Sequence, residues 1–157
     1  MKKSIYIITI TVCATIMCSF TSREKSEMES TKQNIESIID NYKGSENFEV
    51  VKIGGWMMRL AGVKNSSSAN INSMIVVDYE DCSNSVKSSF TMDVLKAVKG
   101  CEKLMEVEEN DERVTFFGSV AEDGCTVTNP MILSGDGDLI CFFGTINISE
   151  LDKLSDR

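Results

Sequence analysis

Three turn dipeptides, Asn110-Asp111, Asp123-Gly124 and Asp136-Gly137, stand thirteen residues apart between runs of alternating apolar residues. Asp-Gly and its relatives accept the positive φ values that a two-residue hairpin turn needs. Taking each dipeptide as a loop centre predicts four antiparallel strands, 103–109, 112–122, 125–135 and 138–146. It also sets a register. Val107 falls opposite Val114, Met105 opposite Phe116, Phe116 opposite Met131, and Val120 opposite Val127. Further along, Val114 meets Leu133, Leu133 meets Ile140, and Met131 meets Phe142. Glu108 falls opposite Arg113, a favourable cross-strand pair. Side chains alternate with a period of two, so a slip of one residue would exchange the faces.

In this register the second face also carries an apolar row, Leu104, Phe117, Pro130 and Phe143, with Ile132 opposite Cys141 beside it. A solvated sheet face should be mainly polar. Two readings follow: a helix covers the row, or the row is a contact patch for a partner. Pro130 cannot donate to a ladder, so it implies an edge position or a bulge.

Upstream of the turns, Ser30-Thr31-Lys32-Gln33 has the form of a capping box. Ile35, Ile38, Ile39 and Tyr42 follow at helical spacing, and Gly44 ends the run. Phe48 to Ile53 reads as a strand. Gly54-Gly55 would let it swing into a short helical turn, Trp56 to Ala61, with Trp56 and Leu60 on one face. Asn65 to Asn72 is a loop by composition. Met74 to Tyr79 is a mostly apolar run rich in Ile and Val and reads as a strand buried on both sides. A second long helix is expected over 84–99, where Val86, Phe90, Val94 and Val98 recur every fourth residue and Gly100 follows as the stop. Ile148, Leu151 and Leu154 would anchor a terminal helical turn. The expected fold is α+β, a mixed sheet with a four-stranded antiparallel C-terminal meander packed against two main helices.

The N-terminus is of another kind. Lys2 and Lys3 precede an uncharged run, residues 4–20, and then the polar Thr21-Ser22-Arg23-Glu24-Lys25. This is the pattern of an export signal, so residues 1–22 are set aside, residues 23–30 are a polar tether, and 31–154 form a single domain. Thr15-Ile16-Met17-Cys18 makes Cys18 a candidate lipid attachment site, with Met17 where a small residue is usual. The alternative is that Cys13 and Cys18 are apolar filler of the signal.

Composition narrows the chemistry. The 157 residues include no histidine, which removes the Ser-His and Cys-His nucleophile pairs and every imidazole metal ligand. A formal charge of −8 argues against nucleic acid, whose phosphates need a basic face. It would also repel an anionic membrane, leaving a lipid on Cys18 as the route to a bilayer. Four cysteines lie beyond the signal. Cys82 and Cys101 flank the second helix, about 24 Å apart by its rise, too far for a disulfide. Cys125 and Cys141 fall on opposite sheet faces. Either helix-flanking cysteine could still meet a strand cysteine, and otherwise all are small buried thiols. No C-x-x-C pair, phosphate-binding glycine loop or EF-hand spacing occurs, so no metal or cofactor is implied. Glu106 and Glu108 share a sheet face but have no apolar pocket to raise a pKa, so a solvated hairpin is the simpler reading.

Three segments carry a resemblance: Trp56-Met57-Met58-Arg59-Leu60-Ala61, Glu102-Lys103-Leu104-Met105-Glu106-Val107, and Gly144-Thr145-Ile146-Asn147-Ile148-Ser149-Glu150-Leu151. With the order of elements around them, the chain resembles DUF4252, a domain-of-unknown-function family of small exported proteins from Bacteroides-type bacteria. The resemblance spans about residues 30 to 154. It implies a cell-envelope protein, often lipid-anchored, with no catalytic residues to carry over. The expected function is a non-enzymatic module for an envelope protein partner, with Leu104, Phe117, Pro130, Ile132 and Phe143 as its contact surface. The alternatives are a small thiol- or carboxylate-dependent hydrolase, or a binder of a small apolar ligand between sheet and helix.

Overall fold

A computed structural model describes residues 30–60, 69–109 and 112–148. Helix α1 occupies residues 30–42. It is followed by β1 (Glu49–Gly54), α2 (Gly55–Leu60), β2 (Ala69–Asp78) and α3 (Asn84–Ala97), which ends in a 3-10 turn, Val98–Gly100. The meander then runs β3 (Glu102–Glu109), β4 (Glu112–Val120), β5 (Thr126–Ser134) and β6 (Asp138–Asn147). The six strands form one sheet in the order β1-β2-β6-β5-β4-β3. Every neighbouring pair is antiparallel, so the sheet is not mixed. The last meander strand docks on β2, which joins the N-terminal hairpin to the meander. α3 carries the chain from β2, near one edge, to β3 at the other.

Both helices form because their apolar residues recur at helical spacing and meet one sheet face. Ile35 and Ile39 of α1 and Phe90 and Val94 of α3 are fully buried, with Val98 beside them. They pack on Ile75, Val77, Met131, Leu133, Leu139, Cys141 and Phe143. Burial of each such side chain stabilises by about 1.5–3 kcal/mol. Tyr42, Phe48 and Tyr79 ring Phe90 with centroids 4.8–5.2 Å away, each in an edge-to-face arrangement. Ser83 caps α3, its hydroxyl accepting from the Val86 amide at 3.4 Å. Ser30 is already helical where the description begins, so it is not the N-cap of α1.

Several boundaries differ from expectation. β2 begins at Ala69, inside the stretch that composition reads as loop, and α1 and α3 pack on the face of it that carries Ile75 and Val77. The β4–β5 connection has five residues and the β5–β6 connection three, not two each. In the former, Asp123 caps the turn by accepting from the amides of Cys125 (2.9 Å) and Thr126 (2.7 Å) and from the Thr126 hydroxyl (2.6 Å). In the latter, Gly137 (φ 130°) lets its carbonyl reach the Tyr79 amide at 2.7 Å. Glu109 pairs with Glu112. The Asn110-Asp111 turn between them lies outside the described residues, as do the signal, Cys18, the tether up to residue 29 and the terminal turn beyond Ile148.

A line of bulges crosses the sheet. The pairings shift between Lys103 and Met105 on β3, Phe117 and Ser119 on β4, Thr128 and Met131 on β5, and Ile71 and Ser73 on β2. The residues on this line explain it. Gly118 has no room for a Cβ, which would lie 2.4 Å from Val127 Cγ1. Asn129 adopts φ 48° and Pro130 has no N–H to donate. Gly144, at φ 148°, brings its backbone so close to β2 that a Cβ would fall 2.1 Å from the Asn70 carbonyl oxygen. The buried Asn129 side chain locks the line by accepting from the Gly144 amide at 3.2 Å.

Candidate functional site

The bulges decide which side chains share a face. On the β3–β4 pair the expected register holds, with Val107 opposite Val114, Met105 opposite Phe116 and Glu108 opposite Arg113. Val120 also meets Val127. Past the bulge in β5, however, Phe116 meets Ile132 and Phe117 meets Met131, and Val114 meets Ser134. Likewise Leu133 meets Leu139, Ile132 meets Ile140, and Met131 meets Cys141. Each is one residue away from the expected partner, which moves Met131 and Leu133 to the helix side and Ile132 to the other.

The expected contact row is therefore divided. Phe143 is in the core and the half-buried Phe117 packs against that core on the helix side. Ile132 faces away from them. Leu104 and Pro130 lie on the bulge line, where Leu104 is 39% exposed and approaches Gly118. These five residues do not form one surface.

A different row does. Pairing across all six strands lines up Val51, Val76, Ile140, Ile132, Phe116 and Met105. Alternation adds Ile53, Met74 and Phe142 on one flank, and Val114 and Val107 on the other. This face is opposite the one that α1 and α3 bury. Val51 is 54% exposed, Met105 49% and Val107 45%, and Val76, Ile140, Ile132 and Phe116 between the two ends are half-buried. One end of the row is bordered by carboxylates, because Glu49 pairs with Asp78 and Asp78 with Asp138, all three exposed. The basic residues of the described strands are Lys52, Lys103 and Arg113, and all lie on the helix side. Lys52 reaches Glu36 of α1 at 3.4 Å, and Lys103 and Arg113 reach Glu106. The outer face of the sheet is thus apolar and acidic, with no cation among its described residues.

On the helix side, between α3 and the β3–β4–β5 corner, lies a groove of about 450 Å³. Leu95 and Thr91 form its wall, Phe117, Thr115 and Leu133 its floor, and Lys103, Glu106 and Arg113 its polar mouth. The sequence suggests a small apolar ligand between sheet and helix as an alternative, but not this groove or its lining, which depend on how α3 sits over β3, β4 and β5.

Glu106 is paired with Lys103 at 2.5 Å and Arg113 at 3.6 Å. The Lys103 hydrogen bond, helped by both charges, keeps its carboxyl below the usual value, the reverse of a general acid's requirement. All four described cysteines are free thiols. Burial pushes the Cys141 thiol up to about 12 and also raises that of Cys82, so neither is an activated nucleophile. Among the described residues no three acidic or cysteine side chains are grouped to hold a metal, and no helix is long and apolar enough to cross a membrane.

Fold and surface together define a small α+β domain whose antiparallel sheet buries one face under α1 and α3. The chain belongs to the family described as "Domain of unknown function (DUF4252)", whose model matches residues 42–154. No curated protein and no solved structure matches it.

Proposed function

We propose that this is an exported cell-envelope protein that acts as a non-enzymatic binding module, taking a cationic amphipathic segment of a protein partner on the outer face of its sheet. The observation that carries the reading is the row Val51-Val76-Ile140-Ile132-Phe116-Met105 beside the carboxylates Glu49, Asp78 and Asp138. Contiguous apolar surface of this extent marks an interaction site in a soluble domain. The carboxylates choose its occupant. A partner with apolar residues to lie on the row and lysine or arginine to face the acidic end satisfies both, whereas an anionic lipid surface would be repelled by the net charge of −8. Export is supported by the basic start and uncharged run of residues 1–20, and the intact mass of the mature protein from a membrane fraction tests cleavage and acylation at Cys18 together.

The surface is tested with two synthetic amphipathic helical peptides of equal apolar content, one leucine–lysine and one leucine–glutamate. The lysine peptide is expected to bind with salt-sensitive affinity and to shift the amide NMR signals of Val76, Ile132 and Phe116. Ile132→Asp should abolish binding in a folded protein, and Asp78→Asn with Asp138→Asn should weaken it. Equal binding of both peptides, or shifts confined to the helix side, would refute the proposal. Phe117→Asp does not serve as a probe, because it places a charge against the core.

A further inference from the structure

We propose that the groove between α3 and the β3–β4–β5 corner is a second site, independent of the outer sheet face, that binds a small amphiphile with a carboxylate head and an unbranched apolar tail. Its volume of about 450 Å³ is within the range of small-molecule sites, about 300–1,000 Å³. The lining is divided as such a ligand requires. Leu95, Phe117 and Leu133 make an apolar trough, and Leu95 is 43% exposed although it projects from a helix that buries its other face. The charged groups lie toward the β3 end, Lys103 beside Phe117, Glu106 beside Thr115 and Arg113 beside Glu108.

Glu106 shows which head group that end accepts. Its two carboxylate oxygens are divided between Lys103 Nζ at 2.5 Å and Arg113 Nε at 3.6 Å. Arg113 also gives one terminal nitrogen to Glu108 at 3.3 Å. An ammonium has three N–H donors and a guanidinium five. The pair therefore has donors to spare for a second carboxylate, and Glu106 competes with that ligand for the same cations. Glu106 and Glu108 are already engaged by Lys103 and Arg113, so a cationic head would have to displace these cations to bind. A neutral head would gain the trough alone.

The experiment measures the full chain by calorimetry and amide NMR against decanoate, decanol and decyltrimethylammonium, each below its aggregation concentration. Decanoate should bind best and shift Thr91, Leu95, Thr115 and Leu133. Lys103→Met with Arg113→Gln should weaken decanoate about tenfold, the value of one partly solvated charge-assisted contact, and leave decanol unchanged. Glu106→Gln should bind decanoate more tightly than the wild type, because the internal competitor is gone. These side chains form surface pairs whose loss changes the stability of a fold little, so the variants remain folded. Leu95→Glu, which sets a carboxylate in the wall, should abolish decanoate binding. Decanoate binding no better than decanol, a Glu106→Gln variant that is not tighter, or shifts confined to the outer sheet face would each overturn the proposal.

Discussion

Asn129→Ala tests the bulge line on which the two faces of the sheet depend. Asn129 is 3% exposed, sits at φ 48°, and accepts from the Gly144 amide at 3.2 Å. Removing the acceptor leaves a buried N–H without that partner, which costs about 1–3 kcal/mol. Alanine at positive φ adds about 1–2 kcal/mol, a penalty that asparagine largely escapes by local hydrogen bonding. The expected total is about 2–5 kcal/mol, a large share of the 5–15 kcal/mol typical of a domain. Urea unfolding followed by far-UV circular dichroism should show it as a midpoint lowered by about 1–2 M at unchanged slope. Asn129→Gly separates the two contributions, since glycine tolerates the backbone and lacks the acceptor, so its loss should be the smaller. An alanine variant within about 0.5 kcal/mol of wild type, the range of ordinary surface substitutions, would refute the reasoning. So would equal losses for alanine and glycine, since the backbone cost would then be absent.

Phe90→Ala removes the ring that Tyr42, Phe48 and Tyr79 surround and should cost about 3–5 kcal/mol in the same assay. Thiol labelling of the native protein with peptide mapping should modify Cys101 and Cys125, which are partly exposed, well before Cys82 and Cys141, which are buried. The Asp123 carboxyl is lowered below its ordinary 3.8, first by the Thr126 hydroxyl and then by the amides of Thr126 and Cys125. A carboxylate whose folded pKa is depressed stabilises fully above its unfolded value and loses that contribution as pH falls through the folded one. The advantage of the wild type over Asp123→Ala should therefore be constant near neutrality and vanish in acid below 3.8. A gap that persists at the lowest pH would show that the charge on Asp123 is not what holds the turn.

The elements were legible where local chemistry defines them. Ile35, Ile39, Phe90, Val94 and Val98 mark helix faces because a helix repeats every 3.6 residues whatever it packs against. The Glu108–Arg113 pairing followed from a turn centred on Asn110-Asp111, because two-residue connections fix register. The contact surface was not legible. Asp123-Gly124 and Asp136-Gly137 are turn residues in any connection from two to five residues long, so the dipeptide alone does not fix the count. Pro130 signalled a bulge, but its consequence, that Met131 and Leu133 exchange sides with Ile132, depends on which strand takes the extra residue. That is settled by Gly118, Asn129 and Gly144 acting together across three strands.

This ambiguity has a physical origin in the sheet itself. In a sheet with one polar face, a register error buries charges and is penalised at every second residue, so hydrophobic alternation selects a single pairing. Here Phe116 and Phe117, Met131 and Ile132, and Phe142 and Phe143 are adjacent apolar residues on opposite faces, and a slip by one merely exchanges one apolar face for the other. Hydrophobicity then discriminates weakly, and the backbone must supply the specificity. The close approach at Gly144, the left-handed Asn129 and the missing amide of Pro130 do so, because each fits at one place in the ladder only. A chain under selection for stability alone could have gained the same discrimination by making the outer face polar. The outer face is instead apolar across six strands and acidic at one end, while the edge strand β3 carries Glu102, Glu106 and Glu108, which oppose edge-to-edge pairing. Charge at the edge, with none on the described residues over the middle of the outer face, is the distribution that the proposed docking of a partner there requires.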